Sequence, residues 1–447
     1  MRVFGYRREW LVLLLVALTT LPIDSVETAQ DSSRLALTEQ IVLRGKVNID
    51  PYWKQTIDRA FANGHWYSDK APGVALLAIP AVEASRVVDA IANPSDRHKA
   101  VWLRTWTLWG IRIWAGGVAF LALVWLLGRV AEGLVAGTGA VTAAVFGIGT
   151  MAGSLAPTVF GHIPDALALF AAYVLGTRAR WPRDWLWVGL LAGIGVLFEY
   201  PAGLAAVILV VYAAIRGGRF AAAWTIAGGI PAAIVLGTYN QLAFGAPWRL
   251  SYRYTDNTFT PQQSQNLFGV GFPTPHGLWT LLIDGHGLLL VSPVLLAAGA
   301  GLVRFWKRQR LEAAVAVGIA VVFLFYTAGY FLPNGGLSPG PRFAAAALPF
   351  LLLGLPFALV RWRVATLLLS ALTIGLGLFD ELTWSIANRL DFLAWPVTVW
   401  SLLGTSRHVG SYIFLATGAG AGVVALLGAI GHRFEERPKP VLQSASI

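Results

Sequence analysis

The sequence predicts an all-α polytopic membrane protein with about twelve transmembrane helices, and three observations carry that expectation. Of 447 residues, 56% are apolar and only 13% are charged, and the mean hydropathy is +0.62, too little charge to clothe a soluble globule of this size. Apolar runs recur along the whole chain at lengths near that of a bilayer crossing. Arg and Lys gather in every second turn between those runs, the bias that orients membrane proteins. The formal net charge of +11 therefore reflects orientation and not nucleic-acid binding, because the basic residues are divided among short clusters. The absence of Cys removes disulfides, thiolate nucleophiles and Cys-based metal sites, while 19 Trp and 23 Phe suit interfacial aromatic belts.

In chain order, Arg2, Arg7 and Arg8 precede an apolar run from Trp10 to Ile23. No A-x-A pattern precedes Asp24, so the run is expected to be retained as a first span with its N-terminus inside. Residues 24–107 turn polar and form a first outer loop; its apolar stretch from Gly73 to Val88 is too short to cross roughly 30 Å of hydrocarbon and is expected to lie along the membrane surface. Further spans are expected near 108–128, 133–153, 163–177, 185–198, 201–215, 221–243, 287–303, 312–331, 343–360, 364–380 and 409–430. A second long outer loop occupies 244–286, and 431–447 form a cytoplasmic tail. The turns assigned to the cytoplasm contain Arg129; Arg178, Arg180 and Arg183; Arg216 and Arg219; Arg304, Lys307, Arg308 and Arg310; and Arg361 and Arg363, with Arg433, Arg437 and Lys439 in the tail. The short outer turns lack Arg and Lys apart from Arg342 and Arg407. Both termini are therefore expected in the cytoplasm of a cell with this protein in its plasma membrane, with the polar loops on the extracytoplasmic face.

Those loops hold the residues with chemistry. Asp31 opens DSSRLALTEQIVLRG, whose Leu35, Leu37, Ile41 and Val42 predict a short surface helix ending at Gly45. An Asp at that place caps the free backbone N–H groups of a helix, and it is equally a carboxylate fixed at the membrane surface, able to take a proton from an acceptor hydroxyl. In GHWYSDKAPG, residues 64–73, Asp69 and Lys70 follow an aromatic trio and precede a Pro-Gly turn; an ammonium there suits a lipid phosphate, or simply snorkels to the headgroups. Arg342, in NGGLSPGPRFAAAALPFLL, follows Pro341 at the first turn of a span, where a helix N-terminus and a forked donor both favour an anion, although an interfacial anchor has the same appearance. His162, Asp165 and Glu199 fall at outer helix ends. His162 and His286 are the histidines available to join Asp69 around a metal, without any ligand spacing such as HExxH to support it.

Four of these patterns, DSSRLALTEQIVLRG at 31–45, WYSDKAPG at 66–73, FGH at 160–162 and GGLSPGPRFAAAALPF at 335–350, together with YNQLAFGAPW at 239–248, give the chain a resemblance. It resembles the GT-C glycosyltransferases related to protein O-mannosyltransferases and lipid A aminoarabinose transferases, that is, proteins like glycosyltransferase family 39. The resemblance implies one GT-C-like membrane domain over 1–447, a polyprenyl-phosphate-linked sugar as donor, and a glycan, lipid or protein hydroxyl as acceptor, with inversion at the anomeric carbon. By position after the first span, Asp31 matches the family's acidic base, although Ser32 stands where members often carry a second acid. Lys70 resembles the family's Lys-Pro element near the lipid phosphate, with Ala71 in place of the first Pro, and Arg342 resembles a basic residue of a late loop. Arg34, Asp69 and His162 are grouped with them as candidate substrate-binding residues. A divalent metal cofactor varies among relatives and is not required by the sequence.

Two other classes share these features. A transporter or flippase of lipid-linked saccharide predicts buried charges along a path through the helices; mid-helix charges are nearly absent here, and no period of 20–50 residues or pair of matching broken helices marks two halves. A catalytically silent protein of this fold predicts tolerance of Asp31→Asn.

Overall fold

A computed structural model describes residues 3–22, 27–92, 100–336, 338–381 and 409–436. Arg2, Asp24, Arg407, Arg437, Lys439 and most of the expected tail lie outside them. Helix α1 (Val3–Thr20) is followed by α2 (Ala29–Arg44), a hairpin of β1 (Arg59–Ala62) and β2 (His65–Ser68), and α3 (Gly73–Ala92). The bundle continues with α4 (Thr105–Leu134), α5 (Gly139–Gly149), α6 (His162–Arg178), α7 (Trp185–Phe198) and α8 (Ala202–Phe244). After the short α9 (Pro275–Leu282) come α10 (Val294–Arg308), α11 (Arg310–Gly329), α12 (Arg342–Arg361), α13 (Arg363–Glu381) and α14 (Val409–Gly431).

Among the described residues six helices are long and apolar enough to cross a membrane: α4, α8, α11, α12, α13 and residues 414–431 of α14. The remaining apolar runs form α1, α5, α6, α7 and α10, of 11 to 18 residues. The 43 residues of α8 would reach about 65 Å as one rod, twice the hydrocarbon thickness. Gly218, at φ 76° and ψ −173°, breaks it into two arms, a backbone turn that a residue without Cβ takes at no steric cost. The arms match the runs expected at 201–215 and 221–243. The span expected at 133–153 is corrected: α4 runs on to Leu134 through one π turn at Ile113–Gly117, and the next helix starts only at Gly139 after extended Val135.

The bundle has two unlike ends. At one, basic side chains are tied down: Arg129 to Glu9 at 3.2 Å, Arg304 and Arg308 to Glu436 at 3.2 and 2.7 Å, and Arg216 to Glu312. There Glu435–Glu436 also pair as a short ladder with Val135–Ala136. At the other end α2, the hairpin and α3 form a cap with its own core, including Leu35, Ile49, Ala60, Val74 and Trp102, closed by Tyr239, Ala243 and Phe244 from the end of α8.

The cap revises the expectation for α2. The helix begins at Ala29, and Gln30 through Gln40 are all buried, so it is an interior element and not a surface one. Its hydroxyls explain this: Ser33 donates to the Asp58 carbonyl at 2.5 Å and Thr38 to the Ala75 carbonyl at 2.9 Å, so polar residues face the hairpin and α3, where backbone acceptors satisfy them. Asp31 lies inside the first turn, and Thr28 is the cap: Asp31 Oδ2 accepts the Thr28 N–H at 3.0 Å while the Thr28 hydroxyl accepts the Asp31 N–H at 3.3 Å, a reciprocal capping box. At the start of α3, a Cβ on Gly73 would stand 2.4 Å from the Leu197 carbonyl oxygen, so only glycine lets the segment after Lys70 press against the end of α7.

Candidate active site

The hairpin places the first pair of site residues. Asn63 and Gly64 both have positive φ, 52° and 82°, the two-residue turn that matches the twist of antiparallel strands. The register it sets pairs Ala62 with His65 and Arg59 with Ser68, which brings Asp58 opposite Asp69 one step beyond the ladder. Lys70 reaches between them, its Nζ 3.3 Å from Asp58 and 3.2 Å from Asp69.

The second group comes from the helix ends. Arg34, on the buried face of α2, donates to Glu199 at 2.7 Å and to Gln30 at 2.5 Å. Glu199 follows the last turn of α7, and a Cβ on Gly161 would lie 2.4 Å from its Oε1, so that glycine makes room for the carboxylate. His162 Nδ1 is 3.6 Å from the same Glu199 oxygen, and its buried Nε2 has no hydrogen-bond partner among the described residues. Arg342 starts α12 with its guanidinium 5.3 Å from the ring of Phe160 and 5.2 Å from that of Phe343. Among the described residues it makes no ion pair or hydrogen bond, and its Nε is buried without a partner. Tyr330 links the two groups electrostatically, lying within reach of Lys70, Arg342 and Asp69, and packs on Phe343 at 4.9 Å.

Tyrosines wall the site. Tyr200 and Tyr252 meet edge to face at 5.1 Å, and Tyr326 stacks with Tyr330 at 6.1 Å. Burial pushes the phenols of Tyr200, Tyr252 and Tyr330 up from their ordinary range, so they remain neutral donors. The loop after α8 holds this wall in place: Ser251 donates to the Asp69 carbonyl at 2.7 Å, Asp256 N–H to the Arg59 carbonyl at 3.0 Å, and Gly271 N–H to the Gly329 carbonyl at 2.8 Å.

Thus Arg34, Asp69, Lys70, His162 and Arg342, expected from sequence as substrate-binding residues, are drawn into one constellation, and Glu199 joins them. Asp58, Tyr200, Tyr326 and Tyr330 were not anticipated. Asp31 is set apart. It is fully buried, its Oδ2 accepting from Arg112 at 2.8 Å and from the Thr28 N–H and hydroxyl at 3.0 Å each, and its Oδ1 from the Val159 N–H at 2.7 Å. The two histidines that were available to join Asp69 around a metal have other carboxylates beside them: His162 neighbours Glu199, and His286 lies 3.9 Å from Asp380. Among the described residues no three His, Asp or Glu side chains gather as a metal site.

The electrostatics predict a pH dependence. Burial raises Asp69 to about 6, with Lys70 opposing and Asp58 reinforcing the shift. Burial would lower Lys70, but Asp58 and Asp69 outweigh it and hold the ammonium above its ordinary value, so Lys70 stays charged throughout. Glu199 is also raised by burial, against the pull of Arg34. As pH falls through about 6, Asp69 takes up a proton and Lys70 loses one counter-charge. The lipid phosphodiester that the sequence resemblance leads one to expect keeps its single charge over this range, so its affinity is expected to rise by roughly tenfold from about pH 7.5 to about pH 5.5. Protonation of Glu199 acts with the same sign by releasing Arg34. Titration of a polyprenyl phosphodiester into detergent-solubilised protein measures this, and Asp69→Asn should flatten the curve; an affinity that falls on acidification refutes it.

No family model matches the chain, and no curated protein matches it significantly. Solved structures similar to it include ArnT from Cupriavidus metallidurans in the apo state, at 14% identity and TM-score 0.54, with 95% of this chain and 77% of that one covered. ArnT bound to undecaprenyl phosphate is similar at 12% identity and TM-score 0.52, covering 96% and 78%. The archaeal oligosaccharyltransferase AglB from Archaeoglobus fulgidus, in complex with an inhibitory peptide and a dolichol-phosphate, is similar at 12% identity and TM-score 0.51, covering 96% of this chain and 55% of that one. The chain is a multi-pass membrane protein, and its fold is the GT-C fold of membrane glycosyltransferases.

Proposed function

We propose that this protein transfers a sugar from a polyprenyl-phosphate-linked donor to an acceptor hydroxyl. The observation that carries this reading is Arg342: a half-buried guanidinium held between two aromatic rings, without a carboxylate partner among the described residues, facing the same space as Lys70 and Arg34. A cation kept from water without a partner is costly, and a phosphate supplies the missing charge and hydrogen bonds. ArnT and AglB, whose folds it shares, have been seen with undecaprenyl phosphate and dolichol-phosphate respectively.

In this reading Arg342, Lys70 and Arg34 grip the phosphate, with Asp69 and His162 lining it, while neutral tyrosines flank the sugar, stacking on it and bonding its hydroxyls. The acceptor oxygen attacks the anomeric carbon from the face opposite the phosphate, so the configuration inverts. Cations already oriented toward the departing oxygen stabilise the charge that develops there. Asp31, enclosed by four donors, serves as the tether of α2 to α4 and to the turn before α6. The basic end is the cytoplasmic one and the cap extracytoplasmic, with about twelve crossings of the plasma membrane. Arg34 meets Glu199 where α2 packs on the end of α7, and Arg112, inside α4, meets Asp31 one turn earlier on α2, so these buried charges gather around α2, which favours chemistry at one place over passage along a path.

The test is transfer of radiolabelled sugar from a panel of hexosyl and pentosyl polyprenyl phosphates, in membranes with and without this chain. Chain-dependent transfer with release of polyprenyl phosphate is expected; no transfer from any donor, in protein shown to bind the lipid, rejects the reading.

A further inference from the structure

We infer that Asp58 is the general base of the transfer, the carboxylate that takes the proton from the acceptor hydroxyl; this rests on the transferase reading above. Five carboxylates lie in or near the constellation, and four are enclosed or held by donors; Asp165, 2% exposed inside α6 and packed beside Gly195, has no open side. Asp31 is fully buried with both oxygens filled by donors at 2.7 to 3.0 Å. Asp69 has a side chain 1% exposed, closed in by Lys70. Glu199 is held by Arg34 at 2.7 Å with Gly161 packed against it. Asp58 is the most open of them: its side chain is 16% exposed against 10% for Glu199, and among the described residues its carboxylate has one ion-pair partner, the Lys70 ammonium at 3.3 Å. Its backbone is fixed, since its carbonyl accepts from Ser33 at 2.5 Å and its N–H donates to the Thr56 hydroxyl at 3.0 Å. A carboxylate on a rigid hairpin with a free oxygen has the properties a base needs.

The position also couples the two charge movements of the reaction. As the acceptor oxygen bonds to the anomeric carbon, its proton passes to Asp58, and the bond from that carbon to the phosphate oxygen breaks. The electron pair leaves with the lipid phosphate, which goes from one negative charge to two. At the same moment Asp58 becomes neutral and gives up its hold on Lys70. The ammonium therefore turns from the base to the leaving group as the leaving group gains charge, and no uncompensated charge arises in the site.

Asp58→Asn tests this. Sugar transfer is expected to fall by about 10²–10⁴, while polyprenyl phosphate binds at least as tightly as to the wild type, because a competing anion beside Lys70 is gone. Asp58→Glu keeps the counter-charge, and so preserves fold and lipid affinity, but carries the carboxylate past the acceptor; its kcat should drop by roughly 10- to 100-fold with KM for the donor unchanged. If Asp58→Asn does not fold, Asp58→Glu decides. Transfer by Asp58→Asn within a few-fold of wild type, or a wild-type kcat in Asp58→Glu, overturns the assignment and leaves the transferase intact. No transfer by the wild-type chain from any polyprenyl-phosphate sugar overturns the reading beneath it.

Discussion

Replacing Arg342 with alanine is expected to cut sugar transfer by about 10²–10³ and to weaken polyprenyl-phosphate binding, while the protein melts no lower than the wild type. The contrast follows from what Arg342 touches. It forms no ion pair among the described residues and lies between Phe160 and Phe343, so its removal strands no carboxylate and relieves a cation of its desolvation. A cation whose attraction to Asp58 and Glu199 is outweighed by its own desolvation is placed to gain from a ligand phosphate. Parallel measurements of transfer, lipid binding and thermal stability check this. A melting temperature lowered by many degrees with lipid affinity unchanged makes Arg342 a structural anchor instead.

The opposite pattern is expected at Asp31. Asp31→Ala removes the carboxylate facing Arg112 in a fully buried pair and breaks the capping box of α2, and losing one partner of such a pair costs about 3–5 kcal/mol. The variant should yield far less folded protein and melt well below the wild type. Per folded molecule it should retain transfer. Asp31→Ala/Arg112→Met should recover part of the lost stability, because a well-packed apolar side chain no longer demands a counter-charge. Folded, stable Asp31→Ala protein without transfer would return the base role to Asp31 and remove it from Asp58.

These two residues also show what sequence reading reaches. The helices of the bundle were legible because lipid-facing runs and basic turns are local patterns, and even the two arms of α8 followed from the polar break at Arg216 to Arg219. Lys70 and Arg342 stood out because a charge beside a Pro-Gly turn or at a helix start already implies an anion. The partner of Asp31 was not legible: Arg112 lies 81 residues away, and nothing local to either announces the contact. Burial of α2 was missed because the partners of Ser33 and Thr38, backbone carbonyls at the hairpin and on α3, are distant in sequence and leave no local signal. Asp58 is the instructive omission. Asn63-Gly64 is a two-residue turn signal, and counting outward from it pairs position 58 with 69, so the approach of Asp58 to Lys70 was present in the sequence as a register.

The cap draws part of its core from Tyr239, Ala243 and Phe244, long after α3 ends at Ala92. At roughly 5–20 residues per second of synthesis, the ribosome needs on the order of 10–30 s to make the intervening helices. During that interval α2, the hairpin and α3 have left the exit tunnel with an apolar face uncovered. Biogenesis therefore runs against the order of the chain: the first loop to emerge is among the last to mature, and it waits for the second arm of α8 to arrive before the Asp58, Asp69 and Lys70 trio can set.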